Sequence, residues 1–203
     1  LAINRRQNTF IPKPNDVFRE GDLVYVITKP HAIKELMQLS GRTRVSINNV
    51  MIVGGGRIGK QTAKLLENDL NIKIFEMDKS RSLELTNSLT NTLVVNADAR
   101  NVDLLEEEGI KDMDAFIAVT DNTETNILTC LQAKSFGVKR TIAMVENIDY
   151  IDISQNIGID TIINKKLIAA SYMVRYTLGG NVSALKCLSG IDADIVEFVV
   201  RDG

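Results

Sequence analysis

Three glycines at fixed spacing could bring the backbone of this chain against a phosphate group. Gly54, Gly56 and Gly59 form a Gly-x-Gly-x-x-Gly motif that follows an apolar run, and a helical pattern begins directly after the motif. Gly54 permits a tight turn, Gly56 has no Cβ where a pyrophosphate would approach, and Gly59 lets the helix pack closely on a sheet. The unpaired N–H groups and positive dipole end of that helix would then face the phosphates.

An acidic residue ends the second apolar run, at the distance from the glycines that a nucleotide-binding fold requires. The run Ile72–Phe75 is followed by Glu76, about twenty residues beyond the glycines. A carboxylate there can accept hydrogen bonds from both ribose hydroxyls and would repel a 2′-phosphate. Asp78 is better interpreted as the N-cap of the next helix than as a second ribose ligand. Glycines, helix and acid together predict a site for an adenine nucleotide, whereas the glycines alone would also suit an ordinary loop.

Other polar residues follow the remaining predicted strands, where a Rossmann-like fold binds its ligand. Arg57 could bind phosphate through its guanidinium group or could be a solvated arginine in the first helical turn. Asp98 could accept a hydrogen bond from the adenine amino group or could cap a turn. The small residues before Thr120 leave room for a base or a sugar, while Thr123 and Asn126 could simply begin a helix.

A parallel sheet is needed to bring these residues together. From Asn49 onward, apolar runs alternate with helical patterns, which predicts βαβ units and a Rossmann-like, doubly wound α/β fold. The expected strands cover residues 50–53, 72–76, 93–96, 115–119, 141–145 and 161–163. The expected helices cover residues 57–69, 79–89, 101–108, 124–136, 149–157 and 166–178. The wholly apolar run Ala115–Val119 is typical of a central strand that is covered on both faces.

Shorter β-containing segments flank the predicted α/β domain. The first contains the run Leu23–Ile27 between proline and Gly-Asp turn signals, then a short amphipathic helix over Ala32–Leu39 and a polar linker. Gly179–Gly180 predicts a boundary, and Ile195–Val200 reads as a strand of a further module. Because the chain starts at Leu1 and stops after that strand, we expect a piece of a longer protein. The expected domains cover residues 1–46, 47–180 and 181–203.

The last helix of the α/β domain is more apolar than one sheet face requires. Its apolar residues are Leu167, Ile168, Ala170, Tyr172, Met173, Val174 and Leu178. Either this helix packs outside its own domain, in a dimer or a ring, or it is a buried core helix.

Composition excludes several classes of function. Of the 203 residues, 44% are apolar and 25% are charged, as in ordinary globular proteins. The net charge of −2 gives no global attraction to nucleic acid or anionic membranes. No apolar run approaches the roughly 20 residues that span a bilayer, and no signal peptide is visible. Two cysteines form neither a disulfide framework nor a metal set, which favours a reduced cytoplasmic compartment.

Few residues could support acid–base or nucleophilic chemistry. His31 is the single histidine and lies far from the glycine motif in sequence, so we interpret it as a surface residue. Cys130 lies among apolar helix positions and is interpreted as a buried, inert thiol. Lys165 and Lys166 open a helix, where cations are unfavourable, so they are candidate anion contacts, although solvated lysines are the preferred interpretation.

The motifs together resemble those of one family, the TrkA proteins, whose nucleotide-binding modules are also called RCK or KTN domains. Residues 49–180 resemble the nucleotide-binding domain. The matching segments are Gly54–Gly59, Ile72–Glu76, Asn96–Ala99, Ala118–Asp121 and Glu124–Asn126. Residues 1–40 resemble the end of a TrkA C-terminal (RCK-C) domain, and residues 181–203 resemble the start of another. The resemblance thus implies an α/β domain between two partial α+β segments.

The resemblance also implies a role. TrkA proteins are cytosolic regulatory subunits of bacterial potassium uptake systems, which implies a cytoplasmic chain at the inner face of the membrane and a membrane potassium-translocating partner similar to TrkH or TrkG. The resemblance further implies that the chain assembles into a dimer or ring. It implies that the chain binds NAD(H) or, alternatively, ATP/ADP and does not catalyse a reaction. The implied binding residues are Gly54, Gly56, Arg57, Ile58, Gly59, Glu76, Arg81, Asp98, Ala99, Ala118, Thr120 and Asn126. Related Ktr-type proteins hold a divalent cation through a glutamate near the start of the last helix, but this chain has Asn164–Lys166 there, so no metal site is expected.

Two other classes of function use a similar glycine motif. An NAD-dependent dehydrogenase would need a substrate domain with an acid–base His, Lys or Tyr near the nicotinamide. A methyltransferase is less favoured, because Arg57 and the complete glycine motif suit a pyrophosphate better than S-adenosylmethionine. The sequence does not distinguish NAD from NADH, ATP or ADP, because Glu76 would recognise any adenosine ribose.

Overall fold

The alternating apolar runs of the chain form a parallel sheet in the computed structural model of the protein. The structure describes residues 2–5, 8–41, 46–177, 182–187 and 194–198. The chain divides into two units, one of residues 45–165 and one of residues 1–44 with 166–203. The first of these units contains the parallel sheet and the glycine motif.

The N-terminal residues form a small antiparallel sheet. Its strands are β1 (Ala2–Arg5), β2 (Asn8–Phe10) and β3 (Leu23–Tyr25), in the order β2-β1-β3. Asp22, just before β3, accepts hydrogen bonds of 2.7 and 2.6 Å from Arg5 Nε and Nη2. These bonds lower the pKa of Asp22 to about 2. A short helix, α1 (Ile33–Leu39), follows where the sequence predicts one.

Six strands of residues 45–165 form the parallel sheet. In chain order they are β4 (Asn49–Val53), β5 (Asn71–Phe75), β6 (Thr92–Val95), β7 (Ala115–Ala118), β8 (Arg140–Met144) and β9 (Thr161–Ile163). Their order across the sheet is β6-β5-β4-β7-β8-β9, and every neighbouring pair is parallel. This is the doubly wound Rossmann order, with its switch point between β4 and β7. The predicted fold class is therefore confirmed.

Helices follow all six strands. They are α2 (Arg57–Leu66), α3 (Lys79–Ser88), α4 (Val102–Glu107), α5 (Thr123–Ser135), α6 (Asp149–Asn156) and α7 (Lys165–Thr177). The sequence predicts each of them, but α2 ends at Leu66 instead of at residue 69. Glu67 directly follows the last helical residue, and its buried carboxylate accepts hydrogen bonds of 2.9 Å from the N–H groups of Thr90 and Asn91. The side chain thereby binds the α2 end to the loop before β6.

The sheet has an apolar core on each face. Met51 packs with Phe116 on one face, and Ile52 packs with Ile74 on the other; all four side chains are fully buried. Side chains alternate between the two faces of a strand. A sheet with both faces covered therefore needs strands that are apolar at every position, which explains the uninterrupted apolar runs in the sequence.

Carboxylates hold the starting edge of the sheet, opposite the glycine motif. Asp114, just before β7, accepts hydrogen bonds from the N–H groups of Asn48 and Asn49 at 2.9 and 3.1 Å. These bonds and Lys139 lower the pKa of Asp114 to about 2. Asp160, just before β9, accepts hydrogen bonds of 2.9 Å from the N–H and the hydroxyl of Thr141. Neighbouring strands are thus joined where they begin.

The C-terminal part of the chain contains an antiparallel pair, β10 (Val182–Cys187) and β11 (Asp194–Phe198). The predicted strand Ile195–Val200 is confirmed as far as Phe198, whereas the predicted boundary at Gly179–Gly180 lies outside the described residues. In the described parts of the chain, no helix is long and apolar enough to cross a membrane.

Gly59 brings α2 close to the glycine turn, and this predicts the effect of a substitution. A Cβ at Gly59 would overlap the carbonyl oxygen of Gly54. We expect Gly59→Ala to lower the free energy of unfolding by about 1–3 kcal/mol, because the backbone has to move to make room. Urea denaturation of the two proteins measures this difference.

Gly56→Ala is the matched control, because nothing lies within 4 Å of the position that its Cβ would occupy. Gly56→Ala should lower the free energy of unfolding clearly less than Gly59→Ala does. Equal losses for the two variants would contradict the steric explanation.

Candidate functional site

The glycine turn brings the end of β4 against the end of β7. Gly54 has a φ of +100°, in the left-handed region that favours glycine. Its N–H donates a 2.9 Å hydrogen bond to the carbonyl oxygen of Phe75. A Cβ on Gly54 would lie 2.9 Å from the backbone nitrogen of Thr120. Both the conformation and the close approach therefore require glycine at this position.

Gly56 faces open space. No atom lies within 4 Å of where its Cβ would be, and its φ of −62° suits any residue. It is the N-cap of α2, and no side chain makes a capping hydrogen bond there. The first N–H groups of a helix without such a cap can bind an anion. The exposed Arg57 begins this helix.

Glu76 joins the glycine turn to the start of α3. Its side chain is buried, and Oε2 accepts a hydrogen bond of 2.8 Å from the N–H of Gly55. Oε1 accepts one of 2.8 Å from the N–H of Asp78, and Arg81 Nη1 lies 3.3 Å from Oε2. A carboxylate has about four acceptor positions. These three contacts leave about one acceptor position for a ribose hydroxyl, so accepting from both ribose hydroxyls would displace one protein donor.

Gly55 contributes to this arrangement, although the sequence analysis gives it no role. Gly55 is buried, and a Cβ there would overlap Leu85 Cδ1 and lie 3.0 Å from Glu76 Oε2. The sequence feature that could have indicated this role is the run of three consecutive glycines, because the motif accounts only for the first and the third.

Asp78 is the N-cap of α3, as predicted. Its Oδ1 accepts a 2.7 Å hydrogen bond from the N–H of Arg81. The same helical turn therefore directs both the Asp78 amide and the Arg81 side chain towards Glu76.

Asp98 and Arg100 form an ion pair after β6. The guanidinium donates from Nε to both carboxylate oxygens at 3.0 Å, and from Nη2 to Oδ2 at 2.7 Å. These bonds lower the pKa of Asp98. Asn96 connects this segment to the Glu76 loop, because its Nδ2 donates a 2.8 Å hydrogen bond to the Glu76 carbonyl oxygen. The motif spacing in the sequence does not mark Arg100 as a site residue.

Asn126 positions the turn after β7. It is fully buried, and its Oδ1 accepts hydrogen bonds from the N–H and the hydroxyl of Thr120 at 2.9 and 2.7 Å. Its Nδ2 donates to the carbonyl oxygens of Thr120 and Met144 at 3.0 and 2.8 Å. Since both ends of the amide are engaged by the protein, Asn126 acts through Thr120. Helix α5 is capped by Asn122, which accepts a hydrogen bond from Thr125.

A cavity of about 390 Å³ lies at the carboxyl ends of β4 to β7, within the usual range of roughly 300–1,000 Å³ for small-molecule sites. The predicted site residues that line it are Gly54, Gly56, Glu76, Arg81, Asp98, Ala99 and Thr120. The predicted residues that do not line it are Arg57, Ile58, Gly59, Ala118 and Asn126. Gly59 and Ala118 are buried in the packing of α2 and β7, whereas Ile58 is exposed on α2.

Charges of both signs line the cavity. Its acidic side chains are Glu76, Asp98 and Asp121, and its basic side chains are Arg81 and Arg100. Ion pairing of Glu76 with Arg81 and of Asp98 with Arg100 offsets two of the negative charges. This reduces the repulsion that an anionic ligand would meet.

Three residues that could support other chemistry, Cys130, His31 and Lys165, do not line the cavity. Burial raises the pKa of the Cys130 thiol to about 12, which confirms the prediction of an inert thiol. His31 is exposed, as predicted. Lys165 forms a 2.5 Å ion pair with Glu146. Over the described residues, no group of three or more His, Cys, Asp or Glu side chains could hold a metal ion.

The strand order, the glycine turn and the cavity at the switch point define the molecule as a Rossmann-like α/β domain. The model of the TrkA-N domain family matches residues 50–165, which is more than half of the chain. The chain therefore belongs to the TrkA-N family, as its sequence resemblance implied.

A curated relative supports this membership, and two solved structures share the fold. The chain is 35% identical over 199 residues to the Trk system potassium uptake protein TrkA homolog 2 of Methanosarcina mazei, covering 97% of this chain and 44% of the relative. Its fold matches the GsuK channel bound to NAD, with a TM-score of 0.58 and 20% identity over 86% of this chain and 31% of that chain. It also matches the Shewanella denitrificans Kef CTD in its AMP-bound form, with a TM-score of 0.56 and 20% identity over 64% of this chain and 80% of that chain. The two structural likenesses establish a shared fold.

The buried amide of Asn126 leads to a stability prediction. Asn126→Ala would leave the N–H of Thr120 and the carbonyl of Met144 without these partners. We expect a loss of about 1–3 kcal/mol in the free energy of unfolding, the cost of an unsatisfied buried polar group. Urea denaturation measures it, and Asn156→Ala, at an exposed position in α6, is the matched control. If both variants unfold like the wild type, Asn126 does not support the turn.

Proposed function

We propose that residues 45–165 bind an adenine nucleotide and that this binding regulates potassium transport. The observation that supports the proposal best is the cavity at the switch point, because Gly56, Glu76 and Asp98 all line it. Their spacing in the sequence is that of a phosphate turn, a ribose acceptor and a base acceptor on three adjacent strands. The preferred ligand is NAD(H), with ATP/ADP as the alternative.

Each part of the nucleotide has candidate partners. The N–H groups at the start of α2 and the Arg57 guanidinium would hold the phosphates. Glu76 would accept the ribose hydroxyls, and Asp98 would accept the amino group of adenine. The Thr120 turn, supported by Asn126, would bound the site on the β7 side. The open space at Gly56 fits a group that approaches the backbone closely.

Two proteins of the same fold have been solved with ligands of this class. The GsuK channel was solved with NAD and the Kef CTD with AMP. Both ligands contain adenosine monophosphate, so their common part corresponds to the ribose and base partners proposed for Glu76 and Asp98. This supports an adenine nucleotide as the ligand of the present chain. Titration with NAD, NADH, ATP and ADP would identify the rest of the ligand.

We infer a regulatory function without catalysis. Among the described residues that line the cavity there is no histidine, lysine, cysteine or tyrosine that could serve as an acid–base partner for hydride transfer. The alternative is an NAD-dependent dehydrogenase. Hydride exchange between NADH and small carbonyl substrates, measured well above the background rate, would favour that alternative.

A membrane potassium-translocating subunit, similar to TrkH or TrkG, is the proposed partner. The support is the name of the M. mazei relative, a Trk system potassium uptake protein, although the chain spans less than half of that relative's length. The chain would act in the cytoplasm at the inner face of the membrane. A nucleotide can shift the partner's gating only through different affinities for two conformations of the regulator.

Self-association is the second part of the proposal. Several apolar side chains of α7 are exposed, and Tyr172 and Met173 are 56% and 68% exposed. A helix with this much exposed apolar surface suits burial against a second copy of the chain, in a dimer or a ring.

Glu76→Ala tests the nucleotide proposal. We expect NAD and ADP to bind about 5- to 150-fold more weakly, which corresponds to the roughly 1–3 kcal/mol of a hydrogen bond to a charged group. Calorimetric titration of wild type and variant with both ligands measures this. The exposed Glu84, which pairs with Lys60 on the neighbouring helix, supplies the control variant Glu84→Ala. The ribose assignment is wrong if Glu76→Ala binds both nucleotides like the wild type.

Gly56→Val separates a binding effect from a folding effect, because Glu76 also supports the glycine turn. The space around Gly56 accommodates a side chain without a clash in the protein. The variant should keep the wild-type circular dichroism spectrum and lose nucleotide binding. If the folded variant binds nucleotide like the wild type, the proposal that the phosphates bind at the glycine turn is wrong.

A charge on α7 tests self-association. Met173→Glu is expected to shift the wild-type dimer or larger assembly towards monomer, because burying an unpaired carboxylate is costly. Analytical ultracentrifugation at micromolar concentration, with and without NAD, measures the assembly state. Nucleotide affinity should stay unchanged, since Met173 lies outside residues 45–165. A monomeric wild type under both conditions would contradict this part of the proposal.

A further inference from the structure

The ion pair of Asp98 and Arg100 lies in the wall of the cavity. Both residues line it, with side chains that are 41% and 65% exposed. Buried Ala99 separates them, and the N–H of Arg100 donates a 2.9 Å hydrogen bond to Asp98 Oδ1. The pair is therefore held by its own backbone at the end of β6.

The ion pair of Asp98 and Arg100 is expected to contribute little to the stability of the fold. Exposed ion pairs contribute little to folding, because solvent screens the charges and ordering two side chains costs entropy. Here the guanidinium makes three side-chain hydrogen bonds to one carboxylate. A planar fork against a planar carboxylate fixes the orientation of both groups. The pair thus presents a defined surface to the cavity.

The hydrogen bonds of Asp98 determine where a base could lie. Arg100 makes four hydrogen bonds to its two oxygens from three donors, which are the backbone N–H, Nε and Nη2. A base amino group that donates to Asp98 must use a lone pair that Arg100 does not occupy. The side-chain bonds of Arg100 lie in the plane of its guanidinium and leave the faces of that plane available, and guanidinium faces stack favourably on aromatic rings.

We propose that Arg100 is a specificity-determining residue of the nucleotide site, which orients Asp98 and stacks on the purine ring of the ligand. The inference rests on the proposed nucleotide-binding function. Arg81 differs from Arg100 in this respect, because its single contact with Glu76 is longer, at 3.3 Å, and Glu76 is proposed to bind the ribose.

The test compares a ligand that has a base with one that lacks it. AMP and ribose 5-phosphate share the ribose and the phosphate, so the difference between them reports on the base subsite. We expect Arg100→Ala to weaken AMP binding by about 3- to 20-fold, the range of a guanidinium–aromatic contact. Binding of ribose 5-phosphate should not change. Calorimetry measures AMP, and NMR titration measures the weaker sugar phosphate.

Two further variants complete the experiment. Arg100→Lys keeps the charge and loses the planar fork, so its AMP binding should stay measurably weaker than that of the wild type. Arg140→Ala removes the same kind of side chain from the start of β8, at the opposite edge of the sheet, and should bind both ligands normally.

Each outcome decides between the proposals. AMP binding by Arg100→Ala that equals or exceeds wild-type binding would overturn the role of Arg100, and tighter binding would identify it as a competitor for Asp98. The role would also be overturned if Arg100→Lys bound AMP as tightly as the wild type. The same holds if Arg100→Ala lost as much affinity for ribose 5-phosphate as for AMP. If the wild type binds neither AMP, ADP nor NAD, the proposed function itself fails, and the role of Arg100 fails with it.

Discussion

The contact between the Glu76 carboxylate and the Gly55 amide connects the two strand ends on which the rest of the site depends. It is 2.8 Å long and buried, and it holds the turn after β4 against the end of β5. The second carboxylate oxygen binds the Asp78 amide at the start of α3. The residue proposed to recognise the ribose therefore also shapes the turn proposed to recognise the phosphates. A ribose hydroxyl that binds Glu76 Oε2 would share this acceptor with the Gly55 amide, so ribose binding would act on the glycine turn.

The fold could be predicted because its sheet is covered on both faces. Strands such as β7 are then apolar at every position, and the glycine motif and helical patterns give their order along the chain. Contacts between residues distant in the sequence were less predictable. Glu67, directly after α2, binds the N–H groups of Thr90 and Asn91, and local propensity contains no information about such contacts.

The sequence predicts where the candidate site lies, but only part of what each of its residues does. Motif spacing places Glu76 and Asp98 at the edge of the cavity, where both are found. It also marks Asn126, but spacing does not reveal that its amide binds Thr120 and Met144 beneath the turn. Arg100 is hard to predict for a similar reason. An arginine two residues after an aspartate is unremarkable in a sequence, and its importance comes from the cavity that both side chains line.

Asp114 and Asp160 join the strands at one edge of the sheet, while the glycine turn, Glu76 and Asp98 occupy the other. A parallel sheet separates these tasks by construction, because all strands start at one edge and end at the other. Exposed residues at the ligand edge, such as Asp98 and Arg100, can therefore change without disturbing the carboxylates that join the strand starts. A new ligand preference could evolve through such positions, whereas a change at buried Glu76 would also alter the glycine turn.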